Sequence, residues 1–151
     1  MSRITEIYDA IVSVLSTELT GYTRLPNPYS VDQNTFLYLQ NGYGLAIGPG
    51  VDTERYVGCL ITWRRDFTII VVNQITTTMN NTDAKVIIEK GLLDAHDGLR
   101  KAIYLNSTLG GKAIKATLTD DQGVSFIDAD ALKFIAVEMT VSVEYQEDPN
   151  T

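Results

Sequence analysis

Cysteine occurs once in this chain of 151 residues, at Cys59, and histidine once, at His96. One thiol excludes an internal disulfide, and one of each excludes the Cys/His clusters that hold structural zinc. Cys59 reads as a small buried hydrophobe on a strand. No apolar run approaches the roughly 18 residues that a membrane-crossing helix needs. The opening Met1-Ser2-Arg3-Ile4-Thr5-Glu6 lacks the basic-then-apolar start of a secretory signal. The expectation is a reducing, intracellular place of assembly with no membrane partner. Without secretion, the tripeptides Asn80-Asn81-Thr82 and Asn106-Ser107-Thr108 carry no meaning as glycan acceptors.

Bases are almost missing from the last part of the chain. Residues 1–119 hold eleven acids and eleven bases, whereas residues 120–151 hold eight acids opposed by Lys133 alone. The whole net charge of −7 therefore belongs to that final zone. A surface of this sign repels a phosphate backbone, which argues against a nucleic-acid-binding module. Two readings remain: a solubilising loop and tail, or a surface that nucleic acid passes without sticking.

Catalytic and ligand motifs are also lacking. His96 stands in Asp94-Ala95-His96-Asp97, where an acid-assisted base is conceivable, but no nucleophile lies at a recognisable spacing. It follows Leu92 by four residues and precedes Leu99 by three, so it reads as a structural histidine on the packing side of a helix. Asp120-Asp121-Gln122-Gly123 and Asp128-Ala129-Asp130 lack the twelve-residue calcium-loop pattern, and turn chemistry accounts for the first. Gly42-Tyr43-Gly44 and Gly48-Pro49-Gly50 do not open a helix after a strand, so neither is a phosphate loop. No cofactor and no metal is expected.

What is present is periodicity. Residues 132–148 predict one long strand: Ile135, Val137, Met139, Val141, Val143 and Tyr145 alternate with Glu138, Thr140, Ser142 and Glu144, after an apolar start at Phe134 and Ala136. Ile4, Ile7, Tyr8, Ile11, Val14, Leu15 and Leu19 recur at helical spacing, predicting a helix over 3–20 that Ser2 caps and Gly21 ends. The Pro-rich stretch 25–29 cannot be regular helix. A short strand at 35–40 meets the Asn41-Gly42 turn signal, with 43–47 as the return arm and a loop running on to about 54. Residues 56–75 predict β-structure, either one bent strand or two meeting near Trp63-Arg64-Arg65-Asp66. A second helix over 84–105 is capped by Thr82 or Asp83 and buries Ile88, Leu92, Leu99 and Ile103, with Arg100 and Lys101 late, where the dipole favours cations. A strand at 113–119, a turn at 120–123 and an arm at 124–127 lead through an acidic loop to the last strand.

The order of helix, strands, helix, strands lacks strict βαβ alternation. It predicts an α+β fold, a mainly antiparallel sheet with two helices packed on one face. One domain spans residues 1–151, with a long loop at about 41–55 and the acidic zone at 120–151.

Taken together, the opening helix Ile4 to Leu19, the central strand Thr62 to Asn73, the helix Ala84 to Leu105 and the closing strand Leu132 to Tyr145 with its acidic tail resemble the tail terminator proteins of long-tailed bacteriophages. The resemblance is one of layout and size across nearly the whole chain and includes no short motif. It implies a non-enzymatic virion protein of the tail or neck, assembled in the host cytoplasm into a six-membered ring of identical subunits. Such a ring caps the tail tube, ends its growth and offers the surface that joins tail to head. The implied partners are the chain itself, the tail tube protein and a head-completion or neck protein, with DNA passing through unbound. Asp120, Asp121, Asp128, Asp130, Glu138 and Glu144 are then candidates for an acidic lumen lining. Trp63, Arg64, Arg65 and Asp66 are candidates for intersubunit or tube contacts, with an ion pair between subunits. Two alternatives stand beside this reading: a head-completion or adaptor neck protein docking below the portal, and a small enzyme centred on His96.

Overall fold

The computed structural model describes residues 2–24, 41–57, 60–75, 82–129 and 132–148. The first helix, α1, spans Arg3–Glu18. The Ser2 hydroxyl accepts a hydrogen bond from the Thr5 amide at 3.4 Å, and the Leu19 amide closes the other end on Leu15 O at 2.8 Å. Ile7, Ile11 and Leu15, four residues apart, form one buried stripe. Next comes a two-residue strand, β1 (Thr23–Arg24), which the sequence pattern did not announce. It is tied to α1 by Arg24, whose Nη2 donates to the Tyr8 hydroxyl at 2.6 Å.

Four long strands follow: β2 (Asn41–Val57), β3 (Leu60–Ile75), β4 (Lys115–Ala129) and β5 (Leu132–Glu147), with α2 (Thr82–Leu105) between β3 and β4. The sheet order is β1-β2-β3-β5-β4, antiparallel throughout except where β1 runs parallel to β2. β3 is therefore central, and among the described residues β4 is an edge strand. The α+β architecture expected from the sequence is present. Phe67, Ile69 and Val71 of β3, Val137, Met139 and Val141 of β5, and Ile7 and Leu15 of α1 join Leu92 and Leu99 of α2 in one core on one face of the sheet. Phe67, fully buried, meets Tyr8 with ring centroids 6.5 Å apart.

Several expectations need correction. The loop at about 41–55 is strand: β2 runs unbroken from Asn41, which pairs with Asn73, to Val57, which pairs with Leu60. Asn41-Gly42 is thus no turn. Gly48-Pro49 occupies a bulge, because pairing passes from Ile47–Phe67 to Gly50–Arg65. Among the described residues β1 covers β2 only at Gly42 and Tyr43. Pro49 therefore lies at an open edge, where a residue without an amide hydrogen is tolerated in a bulge.

Likewise, Asp120 to Gly123 is not a hairpin turn. It lies inside β4, where register shifts follow Leu118 and Asp121, and Gly123 takes the left-handed conformation (φ 73) that such a bulge uses. Strand pairing also reaches into the expected acidic loop, where Asp128 pairs with Lys133 and Ala129 with Leu132. Of the two alternatives for residues 56–75, the single strand is the one found, over Leu60–Ile75, with Tyr56 and Val57 belonging to β2. The predicted strand at 35–40, the stretch 25–29, Cys59 and Asp130 lie outside the described residues.

After α2 the chain turns through Leu109, the one described non-glycine residue with positive φ (49). That backbone conformation costs about 1–2 kcal/mol. Leu109 is nevertheless only 4% exposed in the core, and burying a leucine returns about 1.5–3 kcal/mol. Burial decides the conformation.

Candidate functional site

The sheet has two unlike surfaces, and the four residues singled out on β3 are divided between them. Trp63 packs against the core opposite Tyr145, and Arg65 pairs with Val143, so both leave on the helix side. Arg64 pairs with Glu144 and Asp66 with Ser142, on the other side. They do not form one patch. Arg65 is half-buried and donates from Nη1 to Gly48 O at 3.1 Å, across the β2 bulge. It also hydrogen-bonds the Tyr145 hydroxyl. Burial, then the Glu147 carboxylate, pushes the Tyr145 phenol above its ordinary value, with Arg65 pulling the other way. Asp66 meets Arg64 within the chain at 3.9 Å, a long and solvent-screened ion pair.

On the side away from the helices, β5 presents Glu138, Thr140 and Glu144, and β3 presents Arg64, Asp66, Thr68 and Ile70, while Thr62, Val72, Ala136 and Ser142 of the same side are buried. Among the described residues no helix packs on this side. Glu138 is exposed beside Ile70. Glu144 stands in a row between Arg64 and Lys115, so cations face it from both neighbouring strands. The backbone register sets Asp120 opposite Thr140, Asp121 opposite Met139 and Asp128 opposite Lys133. Thr140 and Met139 themselves leave opposite faces of β5.

His96 is half-buried on α2, with Nε2 shielded from solvent. Its neighbour Asp97 is engaged elsewhere: Lys101 Nζ lies 2.7 Å and Arg100 Nη2 3.5 Å from its carboxylate oxygens. The hydrogen bond from Lys101 and the surrounding positive charge hold the Asp97 carboxyl below its ordinary value. Asp94 is exposed. Among the described residues no group of three or more potential metal ligands is gathered, and no helix is long and apolar enough to cross a membrane.

Sequence reasoning missed a groove of about 1190 Å³ between the C-terminal half of α2 and the β4 edge. Tyr104 is 84% exposed, Leu105 82% and Ile114 48%, and all three line it, with Arg100, Lys101 and Lys115 at its rim. A signal existed. Successive residues turn about 100° around a helix, so Tyr104 and Leu105 cannot share the core stripe that ends on Ile103. Two large apolar residues off the stripe mark a second contact surface. A smaller groove, about 750 Å³ and mixed in charge, lies where the start of α1 meets the end of β5, lined by Arg3, Glu6, Lys112 and Asp148 among others.

No protein-family model and no curated protein matches this sequence. Among solved structures, the chain is similar to one from the virion of a native gene transfer agent particle, at 12% identity, over 91% of each chain, with a TM-score of 0.36. A likeness at that level carries no argument about function.

Proposed function

We propose that the chain is a structural virion protein that forms a ring on the end of a bacteriophage tail tube, ends tube growth and offers the surface that joins the tail to the head. The observation that carries this reading is the two-faced sheet. Both helices cover one side, and the other carries Glu138, Glu144, Arg64, Asp66, Thr68 and Thr140, with Thr62, Val72, Ala136 and Ser142 buried among them. The elements on which the resemblance to tail terminators rests (opening helix, central strand, second helix, closing strand) occur in that order, with β3 at the centre of the sheet. In a ring, the polar side is the one suited to an aqueous lumen. Of the acids proposed for the lining, Glu138 and Glu144 stand on that side; Asp120, Asp121, Asp128 and Asp130 are proposed to add to the negative charge that keeps passing DNA from adsorbing. Trp63 to Asp66 are proposed contacts to tube or neighbour.

The test is the mass of the purified protein by native mass spectrometry, with electron microscopy of whatever forms. Six copies of a 16.7 kDa chain give a ring of about 100 kDa with a central hole. Mixing with tail tubes should then place that ring at tube ends and stop their growth. A protein that ignores tubes but binds portal rings is the head-side adaptor instead. The lining is tested separately by changing the six acids to their amides. Folding should persist while assembled particles retain DNA more strongly, and unchanged DNA release removes the lining.

A further inference from the structure

We propose that the groove between α2 and the β4 edge receives Ile47, on the β2 edge of a second copy of this chain, so that subunits join edge to edge through side chains. The proposal rests on the ring reading above and names its lateral contact. Ile47 is 49% exposed. It lies on the same level of the sheet as the groove, because one register row runs Ile47–Phe67–Val141–Leu118 from one edge to the other. Phe67 and Val141 point to the helix side, so Ile47 leaves on that side as well, the side on which the groove opens. The two edges thus carry matched apolar features at one height and on one face.

Charge agrees with the match. The rim has Arg100, Lys101 and Lys115, with Asp97 partly offsetting the first two. Beyond Ile47, the backbone of β2 continues through positions 52–55, where two acids (Asp52, Glu54) and one base (Arg55) give the sequence a net charge of −1. A second row, Val51–Arg64–Glu144–Lys115, sets Lys115 level with the start of that acidic stretch. A copy placed alongside, in the direction of the rows, brings Ile47 to the groove and sets Lys115 level with the start of that net-negative stretch of backbone. Contact between two different edges is heterologous, and it closes into a ring when each step adds a rotation.

The joint is not a continued β-ladder. The Ala116 amide points away from β5 and already donates to Ser107 O at 2.6 Å. Pro49, two residues past Ile47, has no amide hydrogen to give. Near this level one backbone donor is already engaged on the β4 edge and one is missing on the β2 edge, which favours a contact made by side chains.

The experiment uses the full chain. Ile47→Cys and Tyr104→Cys are made singly and together in a Cys59→Ser background, oxidised mildly and run without reductant. Only the double variant should give a ladder of dimer, trimer and higher species, because each subunit then offers both halves of the contact. Single variants should stop at dimer. In the natural background Ile47→Asp should abolish the ring while leaving circular dichroism and the melting transition unchanged. Rings that form without a ladder, and that survive Ile47→Asp, overturn this contact and leave the ring reading intact. A chain that gives neither ring nor ladder, alone or with tail tubes, overturns both.

Discussion

Two glycines in the β2 bulge make a quantitative test of how the sheet is packed. A Cβ at Gly48 falls 2.9 Å from Asp66 O and 3.4 Å from Asp66 C. A Cβ at Gly50 falls closer to its neighbour, 2.6 Å from Arg65 Cζ and 2.8 Å from Nη2. Distance alone ranks Gly50→Ala as the worse change. The physical argument reverses that order. Asp66 is held by β3–β5 pairing opposite Ser142, so its carbonyl cannot retreat the few tenths of an ångström that an ordinary contact of about 3.3 Å requires. Forced packing of this kind costs about 1–3 kcal/mol, of which alanine returns about 0.4–1 kcal/mol through the unfolded chain. Gly48→Ala should therefore destabilise by about 1–2 kcal/mol.

At Gly50 the obstacle is the tip of a flexible side chain. The guanidinium swings away and gives up its bond to Gly48 O, but water can reach a half-buried group and replace part of it. With the same return from alanine, the net loss should be below about 1 kcal/mol. Urea unfolding reads the difference: for a slope of about 2 kcal/mol/M, Gly48→Ala lowers the midpoint by about 0.5–1 M and Gly50→Ala by less than about 0.5 M. In an Arg65→Met background Gly50→Ala should become neutral or stabilising, while Gly48→Ala keeps its cost. If Gly50→Ala proves as harmful as Gly48→Ala, the distinction between a yielding side chain and an unyielding strand is refuted.

Other consequences follow from the core and from Tyr145. Phe67→Ala, at a fully buried site on the central strand, should cost about 3–5 kcal/mol in the same urea assay, and a loss under about 1 kcal/mol would mean that helices and sheet do not share one core. Because the Tyr145 phenol is raised above its ordinary value of 10.0, its contribution is complete below that pH and is lost as pH rises through the higher folded value. The melting temperature of the natural protein should fall faster from about pH 10 upward than that of Tyr145→Phe. Parallel melting curves would assign the alkaline loss to another group.

The sequence by itself determined the elements with strong periodicity. Six alternating apolar residues placed β5 almost to the residue, and a 3.6-residue stripe placed α1, because those patterns record which side of an element is buried and little else satisfies them. The same patterns were enough for the α+β class with both helices on one face. Punctuation misled. Gly48-Pro49-Gly50 and Asp120 to Gly123 carry turn chemistry, and in isolation they would turn. Partner strands held them in bulges instead, a decision made by residues such as Phe67 and Met139, far away in sequence. β1 has two residues and no pattern, so only its place beside Gly42 makes it a strand. The candidate surfaces divide in the same way. The charge excess after residue 120 was plain in the sequence, but which face each carboxylate joins depends on register, and two bulges in β4 reset that register. The groove was hidden for a related reason: Tyr104, Leu105 and Ile114 become one surface only when α2 is laid against the β4 edge, and Ile47 lies level with it only because four strands pair in one register.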